Sequence, residues 1–217
     1  MSDKEVYGIV LSQKLTKDNV NMGVVMGTEK FTLKRIELNE DVRLKPQDKI
    51  LITKDSEELK KTDQKLSYDD LSNEEQIEAE KAIHSIVIAN ENKYVGFFNK
   101  QSKDGTQLHL LEGISRKNSM KIIEEKELNG DFESFEDIDN RISFIDDSED
   151  LIAKRVLYEL SELNKVKKGR PTYLFASVKR SSKKEVLELD EFEDDDSFFI
   201  EKLKREGLVE QEGKRIR

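Results

Sequence analysis

Over residues 6–68 the apolar positions come in short alternating runs, at 6–11, 22–26, 31–38, 50–52 and 65–68. Turn-forming residues separate them at Asn21, Gly27, Asn39 and Pro46-Gln47-Asp48. Alternation sends successive side chains to opposite faces, so these runs predict about five strands. Short strands packed this densely suit a small barrel whose closure protects its edges. An oligonucleotide-binding-type (OB-like) barrel is the first choice and a sandwich the alternative.

The period then changes from two to three and four. Ser72 followed by Glu75 makes a capping box, and apolar residues at Ala79, Ala82, Ile83, Ile86, Val87, Tyr94, Phe97 and Phe98 predict one long helix to about Asn99. A polar loop at 101–105 leads into the stretch 108–123, read as helix, turn, helix. In that turn Gly113 permits a positive φ, and Ser115 opens the second helix. A short helix with Ser134 and Asp137 as its capping pair follows, and then the arrangement repeats. A second turn at 142–146 leads into an apolar stripe at 151–160. Residues 172–178 have the composition of a late strand, which needs a partner and is expected to return to the barrel edge.

The fold expected is α+β. An OB-like barrel occupies residues 1–70 and a helical domain with paired turns 71–164. A basic linker and strand follow at 165–180, and a charged tail with a short helix at 181–217.

Composition narrows the chemistry. With no cysteine among 217 residues, disulfides, thiolate catalysis and Cys-based metal sites are excluded. A phosphate loop of the Walker type, a paired-histidine metal motif and a glycine-x-serine-x-glycine elbow are all missing from the sequence. The acids Asp146, Asp147, Glu149 and Asp150 are explained by the helix start they occupy rather than by a metal. A non-enzymatic protein without cofactor or bound metal is expected. His84 and His109 read as flank residues. No apolar run approaches the ~20 residues a membrane span requires, so a cytoplasmic location without membrane contact is expected.

The net charge of −9 conceals an uneven distribution. Residues 165–184 hold Lys165, Lys167, Lys168, Arg170, Lys179, Arg180, Lys183 and Lys184 with no acid among them. That strip suits phosphates. The turn at 113–118 suits them too, because the first turn of a helix presents unpaired N–H groups and a positive dipole end. The second turn begins its helix with acids, which repel phosphate, so it is expected to serve packing. Tyr7, Phe31 and Tyr68 on the strands are candidates either for base stacking or for filling the core.

The run Leu110-Leu111-Glu112-Gly113-Ile114-Ser115-Arg116-Lys117 resembles the helix-hairpin-helix motif, with Glu112 where the motif has proline and Ser115 where it has its second glycine. Residues 132–138 resemble the phenylalanine- and acid-containing segment that commonly follows it. Together with 65–72, 90–99 and Tyr173-Leu174-Phe175, these stretches occur in the order found in the archaeal DUF655 family, and the resemblance spans roughly residues 7–177. It implies an OB-like barrel, a helix-hairpin-helix domain, an archaeal cytoplasm and a role in RNA- or ribosome-related processes. The binding set it implies is Gly113, Ile114, Ser115, Arg116 and Lys117, which Asn118 extends and to which the basic strip adds Lys165, Lys167, Lys168 and Arg170. The expected partner is nucleic acid. The motif alone favours duplex DNA, and the family resemblance favours RNA. An adaptor that recruits transcription or ribosome-assembly proteins through its acidic helical body and tail is the alternative.

Overall fold

Five antiparallel strands form one sheet in the order β4-β1-β2-β3-β5. They are β1 (Tyr7–Leu15), β2 (Asn21–Gly27), β3 (Leu33–Leu38), β4 (Lys49–Leu51) and β5 (Leu59–Leu66). The computed structural model describes residues 5–161 and 172–176. The sheet is curled, and β4 and β5 are its two edges, not paired with each other.

Both faces of the sheet are apolar. Val10, Val25, Ile36, Leu38, Ile50 and Ile52 fill the inner face. Ile9, Leu11, Val24, Met26 and Leu33 point outward and join a larger core built with the helices. This is the period-2 alternation of the sequence turned into two cores, each fully buried side chain contributing roughly 1.5–3 kcal/mol.

Three sequence expectations are corrected here. The fifth strand runs Leu59–Leu66 rather than 65–68, because its lysines, glutamine and aspartate leave no alternation to read. An edge strand rich in lysine is protected against further pairing, so it needs no such pattern. Phe31 lies outside β3, with a φ of 57° and its ring fully buried, so it fills the core. Of the three strand aromatics only Tyr7 is exposed, and Lys49 Nζ lies 4.7 Å from its ring centroid. Tyr68 packs against the core, and burial with Glu80 beside it pushes its hydroxyl up to about 12.

The long helix is two, α1 (Asn73–Ala89) and α2 (Glu91–Asn99). Asn90 separates them: its side-chain amide donates to Ile86 O at 2.7 Å and competes with the backbone ladder there. Ser72 and Glu75 form the capping box at the start of α1. Glu75 also accepts Ser12 Oγ at 2.6 Å, joining α1 to β1.

Burial raises the Glu75 pKa, but Ser12, the Ser72 N–H and Lys14 outweigh it and leave the carboxyl below its usual range. A carboxylate depressed in the folded state contributes stability above its unfolded pKa and loses it as pH falls through the folded one. Glu75→Gln is therefore expected to cost about 1–3 kcal/mol at neutral pH. The cost should shrink as acid protonates the wild-type group, which urea unfolding at pH 7 and pH 3 would measure.

After α2 come a turn of 3-10 helix at Leu108–Leu110, then α3 (Arg116–Asn129), α4 (Phe135–Arg141) and α5 (Ser148–Leu160). Sheet and helices belong to one compact unit and share the larger core. No helix among the described residues is long and apolar enough to cross a membrane.

Candidate functional site

The turn before α3 is built by five adjoining residues. Gly113 takes a φ of 73°, which favours glycine because a Cβ is strained there. Ile114 is buried and pins the turn to the core. Ser115 is the N-cap of α3, its Oγ accepting Asn118 N at 3.1 Å. Arg116 and Lys117 follow in the first helical turn, exposed and without an ion-pair partner among the described residues. The N–H groups of Gly113, Ser115, Arg116 and Lys117 likewise have no acceptor among the described residues. Unpaired amides, a positive helix end and two free cations thus converge on one exposed spot.

The arm leading into this turn is a single 3-10 turn, not the helix expected from its apolar run. His109 sits on that arm with Nδ1 buried and without a hydrogen-bond partner among the described residues. His84 lies elsewhere, 3.4 Å from Glu149 at the start of α5.

Glu112 faces the second turn. It lines a cleft of about 210 Å³ together with Gly113, Ile114, Asp146, Asp147, Asp150 and Lys154. The hydrogen bond from Lys154 to Asp150, with the nearby Glu112 and Asp147, holds the lysine above its ordinary range against a small opposing effect of burial. With four carboxylates around one lysine the cleft repels anions. In the second turn Asp147 caps α5 by accepting Asp150 N at 2.8 Å, and Ile142 and Ile145 are buried. No group of three or more His, Asp or Glu side chains among the described residues is arranged to hold a metal.

A buried ion pair, not singled out in the sequence, fixes the arm. Arg155 and Glu159 stand one turn apart on α5, with Nε and Oε1 2.7 Å apart and both side chains almost wholly buried. The guanidinium also donates to Leu110 O at 2.9 Å, on the arm, and to Thr172 O at 2.6 Å. Glu159 accepts the N–H groups of Leu174, Phe175 and Ala176 at 2.7, 3.0 and 2.9 Å. Residues 172–176 are therefore not a strand on the barrel edge. They form an irregular strap bound to α5, and Phe175 packs edge-on against Tyr94 and Phe97. The sequence signal was a charged i, i+4 pair inside an otherwise apolar stripe. Lys165, Lys167, Lys168 and Arg170 lie outside the described residues, as does the tail.

The family model described as "Protein of unknown function (DUF655)" matches residues 6–176. Over 118 residues the chain is 36% identical to the uncharacterized protein MJ0038 of Methanocaldococcus jannaschii, covering 53% of this chain and 51% of that protein. The match thus spans about half the length of that relative. The crystal structure of Af1531 from Archaeoglobus fulgidus, family-model DUF655, is similar with a TM-score of 0.70 at 31% identity. It covers 80% of this chain and 100% of that one.

Proposed function

We propose that this chain, which belongs to the DUF655 family, is a non-enzymatic nucleic-acid-binding protein that holds a phosphate backbone at the turn before α3 and favours RNA over DNA. The observation that carries the reading is the exposed constellation of free amides at Gly113, Ser115, Arg116 and Lys117 with two unpaired cations. Contacts of this kind position a backbone without reading bases. In this reading the curled sheet is an OB-like barrel and the two turns are paired helix-hairpin-helix motifs, the second drifted to acid. In the same reading Lys165, Lys167, Lys168 and Arg170 add phosphate contacts through their charge.

The acid-lined cleft, with the partly exposed Phe144 at its rim, supports the second reading, an adaptor for transcription or ribosome-assembly proteins. Salt separates the two. Titrating a structured RNA and a DNA duplex at rising ionic strength should give a linear fall of log affinity with log salt, with tighter binding to the RNA at each salt concentration. Binding of neither at low salt would leave the adaptor.

A further inference from the structure

The inner face of the sheet carries charge that its core does not explain. Residues directly opposite on neighbouring strands share a face, and the register runs Val10, Val25, Lys34, Lys65 across β1, β2, β3 and β5. Val10 and Val25 are fully buried in the inner core. The next two places in the same row are lysines. Lys34 is half-buried and Lys65 exposed, and neither has an ion-pair partner among the described residues. Like charges directly opposite weaken strand pairing, so the pair costs stability where two apolar residues would add to it.

The charge is only partly offset from within. Burial lowers the Lys34 pKa and Lys65 adds to the effect, while Glu5 opposes both. Glu5 is itself buried and already engaged by the β2–β3 turn, accepting Glu29 N at 2.8 Å, Lys30 N at 2.9 Å and Thr32 Oγ1 at 3.1 Å. Its oxygens are committed to those donors. An external oxyanion is what would relieve the two lysines. Their Cα atoms, opposite on antiparallel strands, stand about 4.5–5.5 Å apart, close enough for both ammonium groups to grip one phosphate.

The helical part that carries the α3 turn meets the sheet at the β2–β3 turn. Lys93 donates to Glu29 O at 3.0 Å beside the sheet, its neighbour Tyr94 packs on Phe175 of the strap, and the strap is tied through Arg155 to the arm. We propose that Lys34 and Lys65 form a second phosphate site, at the β3–β5 edge, holding another backbone phosphate of the nucleic acid bound at the α3 turn. This rests on the reading of that turn as a phosphate site. If the two stems only cover the rim of the inner core with their heads in water, replacing them leaves the salt dependence of binding unchanged.

The test uses the full chain and two double variants, K34Q/K65Q and R116A/K117A, titrated with the same structured RNA across ionic strength. In parallel, inorganic pyrophosphate is added to the wild type and its lysine side-chain resonances are followed. The proposal predicts that K34Q/K65Q lowers the log–log salt slope by about 0.7–0.9, one phosphate's worth, without lowering the unfolding midpoint. Pyrophosphate should shift Lys34 and Lys65 ahead of the other lysines. An unchanged slope in K34Q/K65Q beside a reduced one in R116A/K117A overturns the sheet site and keeps the turn. The opposite pattern removes the turn and keeps the sheet site. If the wild type binds no RNA, pyrophosphate decides: shifts at both lysines support an anion site on the sheet, and their absence overturns it.

Discussion

Glu159→Ala should destabilise the protein by about 3–5 kcal/mol, because it leaves the Arg155 guanidinium buried without its counter-ion. The same change orphans the N–H groups of Leu174, Phe175 and Ala176, all of which donate to that carboxylate. Two readouts follow from the geometry. Urea unfolding gives the loss of global stability, and amide exchange at 174–176 reports release of the strap. Replacing both partners by apolar residues of similar volume, Arg155→Met with Glu159→Leu, should cost less than Glu159→Ala, since no buried charge is then left unpaired. It should still free the strap, whose amides would have lost their acceptor. Equal losses in the two variants would mean that packing rather than charge compensation dominates at this place.

Arg116→Ala with Lys117→Ala should change binding and leave folding nearly intact, because both side chains are exposed and make no ion pair among the described residues. If each contacts a phosphate, the salt slope for a structured RNA falls by about 1.4–1.8. Hydrogen bonds to charged groups are worth about 1.5–3 kcal/mol, so affinity at low salt should drop on the order of tenfold to a hundredfold per contact. The loss should be similar for RNAs of different sequence, since backbone contacts carry no base information. A loss confined to one sequence would point to base readout instead.

These two variants divide what could be read in the chain from what could not. The turn was legible because its devices are local: Gly113 for the positive φ, Ser115 for the cap and Ile114 for the anchor lie within three consecutive residues. Strands β1 to β4 were legible for the same reason, each alternating over a few residues. What escaped depends on partners distant in sequence. Arg155 and Glu159 look like an exposed helical pair until the strap, more than ten residues further on, is known to lie against them. The register that sets Lys34 opposite Lys65 needs the position of β5, and the sequence Leu-Lys-Lys-Thr-Asp-Gln-Lys-Leu hides a strand. The break at Asn90 was missed because the apolar stripe continues through it, whereas a single side-chain amide ends the helix.

Glu112 shows what the sequence leaves open about charge. In sequence it adjoins the phosphate pocket and would weaken it. In the fold it lines the cleft that also holds Lys154, and its charge acts on that lysine. Asp146, Asp147 and Asp150 of the second turn line the same cleft.

The central claim is that the turn before α3 touches the phosphate backbone of RNA. The most direct measurement follows the backbone amide resonances of residues 113–118 in the full chain as a structured RNA is added at low salt. The account predicts that Gly113, Ser115, Arg116 and Lys117 shift together and return as salt is raised. Binding of the RNA with those four resonances unmoved would contradict it.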